Sequence, residues 1–143
     1  MTTLVVDASV AFKWCAPSAG EPLVPQAVQL LDAFGRQQIA FLVPDLFWVE
    51  LGNALWKLVR RGRIASAEAA TALSAVKNLE IPTIPSVDLV PQALQIAMTY
   101  DRTVYESLYV ALATTSRTEL VTADERLANA LAAYLPVKWL GPV

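Results

Sequence analysis

The chain contains no histidine, and that absence alone removes a large part of enzyme chemistry. Imidazole metal sites, Ser-His-Asp hydrolysis and histidine acid–base steps are all excluded. Cysteine is nearly absent too. Cys15 stands alone, so no internal disulfide can form and a reducing cytoplasm is the expected setting. With no imidazole to activate it, that thiol is a poor nucleophile. Charge is sparse at 17% of residues, and the net charge of −2 argues against a nonspecific, basic nucleic-acid binder. No apolar run approaches the roughly 18–20 residues that a membrane span requires. The first apolar run has no basic stretch before it and reads as a strand, not a signal peptide. Yet 55% of the 143 residues are hydrophobic and the mean hydropathy is +0.44, high for a soluble protein of this size. The surplus apolar surface is expected to meet protein, in a homo-oligomer or against a dedicated partner.

The length suits one domain with a proper core, residues 1–143, and no linker, repeat or composition shift divides it. Short β-branched runs predict strands over 3–7, 39–43, 80–84, 120–122 and 137–140. Helical spacing predicts helices over 10–14, stopping around Pro17 and Gly20, and over 22–36, 45–61, 66–78, 89–100, 103–116 and 124–134. Asp45, Ser66 and Asp88 are natural N-caps for three of these. Strands alternating with helices imply an α/β fold with a mostly parallel sheet of about five strands, covered on both faces by helices.

Four acidic residues lie where so apolar a chain has no structural need of them. Asp7 ends the first apolar run and Asp124 a late one, while Glu50 and Glu106 sit inside hydrophobic helical stretches. Buried carboxylates need pairing, and a cluster of them needs a cation. Asp7 and Asp124 both fall just past strand ends, where open α/β sheets bind ligands. If the first and fourth strands are neighbours, the two face one another. Each position also has a plainer role. Asp7 and Asp124 fit as N-caps, and Glu106 suits a helix first turn for dipole reasons, with Asp101 competing for its place. Glu50 forms a two-member polar stripe with Asn53. Ser9 is placed to ligate, to hydrogen-bond Asp7 or simply to cap the helix, and Thr122 to orient Asp124. Lys57, Arg60, Arg61 and Arg63 gather four of the eleven cations within seven residues, for phosphate contact or simply as a solvated helix end. The four tryptophans read as core or interface anchors.

Four stretches in register carry a family pattern: Val5-Val6-Asp7-Ala8-Ser9; Pro44-Asp45-Leu46 leading to Glu50 and Asn53-Ala54-Leu55-Trp56; Thr103 to Ala113 around Glu106; and Val121-Thr122-Ala123-Asp124-Glu125-Arg126-Leu127. Together they resemble a PIN domain over essentially the whole chain, specifically a VapC-type toxin ribonuclease of a VapBC toxin–antitoxin system. The resemblance implies a three-layer α/β/α sandwich, a homodimer and a VapB-type antitoxin that covers the active-site groove. It maps the acidic site onto Asp7, Glu50, Glu106 and Asp124. Glu106 is a departure, since aspartate is usual there and glutamate adds a methylene.

Oxygen-only ligands select Mg²⁺ or Mn²⁺ over zinc. The expected activity is endonucleolytic hydrolysis of RNA by metal-activated water, with Asp7 and Asp124 as main ligands and Glu50 and Glu106 binding further metal or positioning water. Without paired imidazoles the products are expected to carry 5′-phosphate and 3′-hydroxyl ends. Rival readings are a housekeeping RNA-processing nuclease without antitoxin, or a catalytically weak or silent PIN-like binding module. A haloacid-dehalogenase-type phosphatase would have a second aspartate where Ser9 stands, and a receiver domain would have an acidic pair and a late-strand lysine that this chain lacks.

Overall fold

The computed structural model describes residues 1–16 and 20–141. Five strands, β1 (Thr2–Val6), β2 (Ile39–Pro44), β3 (Thr83–Ile84), β4 (Glu119–Thr122) and β5 (Val137–Trp139), form one sheet in the order β3-β2-β1-β4-β5. Every pairing is parallel. The expected α/β class and five-stranded parallel sheet are borne out. β1 lies at the centre, and its end residues Val5 and Val6 are wholly buried, which is why that strand is an unbroken apolar run. The first and fourth strands are neighbours, with Val6 opposite Val121. The chain winds from β1 outward to β2 and β3, then returns to β4 on the other side. The switch in strand order therefore falls at β1, and Asp7 is the residue immediately after it.

Seven α-helices flank the sheet among the described residues: α1 (Ala8–Cys15), α2 (Val24–Gly35), α3 (Leu46–Arg60), α4 (Ser66–Lys77), α5 (Val90–Tyr100), α6 (Val104–Thr115) and α7 (Glu125–Leu131). The expected stop of the first helix at Pro17 lies outside the described residues. α1 packs against α2, α3 and α4, whereas α6 lies on β1, β2 and β4 and carries α5 on its outside. Ser107 through Ala113 of α6 are all buried, the all-round burial of an inner helix. That helix brings one end of its apolar run to the carboxyl ends of the central strands.

The three expected N-caps are not what the structure shows. Asp45 precedes α3 but holds helical dihedrals, and its Oδ1 instead accepts from the Ser86 amide (3.1 Å) and the Ser86 hydroxyl. It ties β2 to the chain leaving β3. Ser66 is the first helical residue of α4, behind Ala65. Asp88 ends a short 3₁₀ turn, and Leu89 precedes α5. The third strand is also shorter than expected, because Glu80 takes a left-handed conformation (φ 56°) after α4.

Glu80 is one of a set. Five helices are each followed by a left-handed residue: Gln37 after α2 (φ 60°), Gly62 after α3 (φ 69°), Glu80 after α4, Asp101 after α5 (φ 55°) and Arg117 after α6 (φ 56°). Following amides return to the last turn, such as Gln38 N to Ala33 O (2.9 Å) and Thr118 N to Ala113 O (2.9 Å). This geometry suits glycine, yet only Gly62 supplies one. Gln37→Gly and Arg117→Gly are each expected to raise the unfolding free energy by about 0.5–1 kcal/mol, less any entropy gained by the unfolded chain. Urea denaturation midpoints check this.

Candidate active site

Asp7 closes β1 with its backbone and opens the cleft with its side chain. Its carbonyl accepts from Val10 N (3.2 Å), starting α1. Its carboxylate is only 7% exposed and makes no cap bond. Instead Oδ1 accepts from the Ser9 hydroxyl and Oδ2 from Thr122 Oγ1 at 2.5 Å. Both hydroxyls also accept, Ser9 Oγ from Ala123 N (3.1 Å) across the strands and Thr122 Oγ1 from Asp124 N (3.0 Å) in its own segment. Two hydroxyls thus pin the end of β1 to the end of β4. Thr122 was expected to orient Asp124; its hydrogen serves Asp7, and it meets Asp124 only through the backbone. Burial pushes the Asp7 carboxyl up to about 6 against the lowering effect of the two hydroxyls, and the Glu50 charge raises it further.

Asp124 is exposed and caps α7, with Oδ1 accepting from Arg126 N (3.0 Å) and Leu127 N (3.2 Å). Glu50 is half-buried on α3, and Tyr109 of α6 donates its hydroxyl to Glu50 Oε1 at 2.5 Å. Burial raises the Glu50 carboxyl, the Tyr109 hydrogen bond lowers it, and the Glu106 charge raises it. Tyr109 is itself 3% exposed. Burial first, and then the neighbouring Glu50 charge, drive its phenol far up, so it remains a proton donor.

All four carboxylates line one cleft of about 350 Å³, together with Ser9, Asn53, Lys57 and Tyr109. Glu50, Asn53, Ala54 and Lys57 reach it from one face of α3, as their spacing of three and four requires. Asp101 does not line it. Arg60 lies over the ring of exposed Trp56 at 5.3 Å, and Arg61 and Arg63 are exposed beyond the end of α3. Of that basic group only Lys57 lines the cleft.

A model of the PIN domain matches residues 4–131. This chain belongs to the PIN-domain family. Ribonuclease VapC9 of Mycobacterium tuberculosis is 32% identical over 137 residues, covering 94% of this chain and 95% of that protein. Ribonuclease VapC3 of Pyrobaculum aerophilum is 32% identical over 136 residues, covering 92% and 97%. The crystal structure of PAE2754 from Pyrobaculum aerophilum superposes with a TM-score of 0.68 at 25% identity, over 90% of this chain and 79% of that one. Mycobacterium tuberculosis VapC20, described as a sarcin-ricin loop cleaving toxin, shares the fold with a TM-score of 0.66 at 16% identity, over 92% and 95%. The PIN domain is of the VapC type.

In this PIN domain the donor set suits a hard divalent cation: four carboxylates and a hydroxyl, facing one ammonium, Lys57. The raised Asp7 carboxyl is the mark of a buried charge without a countercharge. The side chains are not drawn into a finished ligand cage, however. No three of them converge closely enough to hold an ion among the described residues. Glu106 is the reason on one side. It is the third residue of α6, and its Oε1 accepts from the Thr103 amide (3.3 Å) and hydroxyl (3.1 Å) while Thr103 Oγ1 accepts from Glu106 N (3.0 Å). That reciprocal bonding is a capping box, legible in the order Thr103-x-x-Glu106.

Tyr109 was missed by reading the sequence for acids. Its signal was a phenol one turn beyond Glu106 in a run too apolar to offer it water, where a hydroxyl needs a protein acceptor. Tyr109→Phe removes that donor and leaves Glu50 Oε1 poorly solvated. We expect a loss of about 1–2 kcal/mol in unfolding free energy by urea titration at neutral pH. An unchanged midpoint would show that the α6–α3 hydrogen bond contributes nothing.

Proposed function

We propose that this cleft is the catalytic centre of a Mg²⁺-dependent endoribonuclease, the toxin of a VapBC-type pair. The observation that carries the reading is the meeting of Asp7, Glu50, Glu106 and Asp124, from four separate elements, in a cleft whose lining holds a single cation. A phosphodiester cannot approach such a surface unless a cation offsets its charge. Bound Mg²⁺, or Mn²⁺, would supply that charge and an acidified water for in-line attack.

The protein's own part is positioning. Ser9 and Thr122 fix both oxygens of Asp7, so its charge is aimed into the cleft. Tyr109 fixes one oxygen of Glu50 and leaves the other available. Asp124 turns one oxygen to the α7 cap and can present its second to the ion. Lys57 stands on the α3 face to meet a phosphate, with the Arg60, Arg61 and Arg63 end of the helix extending that track along the strand. No group among these is an imidazole, so a 2′,3′-cyclic phosphate route has no acid–base pair.

Incubating the purified chain with a structured RNA and Mg²⁺ tests the proposal. Internal cuts with 5′-phosphate and 3′-hydroxyl ends are expected, and a circular RNA should be opened. Cyclic phosphate ends, or cleavage undiminished by chelation, would defeat it.

The partners follow from the same reading: RNA as substrate, an antitoxin over the cleft and a second copy of the chain. A toxin–antitoxin complex from Klebsiella pneumoniae shares the fold (TM-score 0.60, 16% identity, over 98% of this chain and 99% of that one). Val90, Leu94 and Met98 form an exposed apolar stripe on α5, which supports a homodimer and is testable by light scattering. No helix among the described residues is long and apolar enough to cross a membrane. Half-buried Cys15, its thiol pushed up to about 11 by burial, suits a reducing cytoplasm and does no chemistry.

A further inference from the structure

The turn joining α5 to α6 sets a second cation beside the cleft, and the proposed chemistry makes no use of it. Asp101 ends α5 in the left-handed region and Thr103 caps α6, so Arg102 is the single residue between them. Its amide bonds back to Ala97 O at 3.1 Å. Its guanidinium Nη2 lies 3.4 Å from Glu106 Oε2, with the two side chains about a quarter exposed (26% and 25%). Its Nε is buried with no hydrogen-bond partner. A cation at a helix N-terminus is opposed by the helix dipole, so Arg102 needs Glu106 to hold it there.

Glu106 is engaged on both oxygens. Oε1 is taken by Thr103 and Oε2 faces Arg102, both at the start of its own helix. The methylene that glutamate has beyond aspartate is what lets it reach back from the third helical position in this way. Yet Glu106 lines the cleft, and its charge is felt at Glu50.

We infer that Arg102 is a latch that draws Glu106 away from the metal, leaving Asp7, Glu50 and Asp124 as the ion-binding set and metal affinity set below what four carboxylates would give. The inference rests on the metal-dependent reading of the cleft. The latch is weak: 3.4 Å is long beside the roughly 2.7–2.9 Å of a strong charge-assisted bond. Breaking it therefore costs the fold little and frees a carboxylate for the ion.

The test is Mn²⁺ binding to the full chain by calorimetry, without RNA. Arg102→Met is expected to tighten Mn²⁺ by about two- to fivefold, the scale of a partly exposed ion pair. Glu106→Gln keeps the capping box and is the background in which Arg102 has no carboxylate to hold, whatever its own Mn²⁺ affinity. In the double variant the Arg102→Met gain should vanish. Arg102→Gln repeats the comparison, so a folding defect peculiar to one side chain does not decide it. No gain in either Arg102 variant overturns the latch. So does an equal gain in the Glu106→Gln background, which would mean that Arg102 acts only through its general field. Asp7→Asn, run alongside, separates the two levels. Unchanged Mn²⁺ binding there defeats the metal reading itself, whereas its loss with no Arg102 effect defeats the latch alone.

Discussion

Asp7→Asn is expected to lower Mg²⁺-dependent RNA cleavage by about 10²–10³-fold, the largest single-residue effect in the molecule. The substitution keeps the shape and much of the hydrogen bonding. Thr122 and Ser9 are hydroxyls that can turn to accept as well as donate, so an amide fits between them. What disappears is the one buried negative charge of the cleft, in the position where both oxygens are fixed by neighbours. A pre-oriented, desolvated charge contributes more to an ion and its phosphate than an exposed one at the rim such as Asp124. Asp124→Asn should therefore cost less than Asp7→Asn. Single-turnover cleavage of the same RNA at saturating Mg²⁺ measures both. Equal rates for wild type and Asp7→Asn would remove this cleft from the chemistry.

The second large effect concerns stability without metal. The folded-state pKa of Asp7, about 6, lies above the ordinary aspartate value of 3.8, so between these values the folded chain holds a proton that the unfolded chain releases. Stability must then rise as pH falls from about 7 through 6 toward 4, and decline as pH rises. About two pK units correspond to roughly 3 kcal/mol at most. The raised Glu50 carboxyl acts in the same direction. In EDTA, wild type should resist urea better near pH 5 than near pH 8 by about 1.5 kcal/mol. Asp7→Asn should be more stable than wild type at about pH 8, with the difference about halved at about pH 5 and closing near pH 4. Thus the variant that loses activity gains stability. A wild-type profile parallel to that of Asp7→Asn across this range would rule out Asp7 as the titrating group.

Much of this architecture was readable from residues alone. The unbroken Leu4-Val5-Val6 run announced a central buried strand, and the alternation of elements gave the parallel sheet. The pairing of β1 with β4 was stated as a condition, because sequence fixes which segments are strands better than which strands touch. Asp7 stood out because an aspartate ending a buried strand has no solvent to turn to. The helix caps failed where a three-dimensional competitor existed: Asp45 found Ser86, 41 residues away, and no local pattern predicts that. Glu106 shows the same limit from the opposite side. Its capping box is local and legible, whereas its ion pair depends on how Asp101 turns the chain. Tyr109 escaped notice because its value lies in an acceptor 59 residues away.

The central place of β1 also has a consequence in time. Asp124 is made 117 positions after Asp7. At about 5–20 residues per second, roughly 6–23 s separate their synthesis. Through that interval β1 can pair with β2, but the seat beside it for β4 stays empty, and neither Thr122 nor Asp124 exists to complete the cleft. The nascent chain therefore carries no finished site. A ribosome making this protein completes the site in a single step, when β4 docks beside β1.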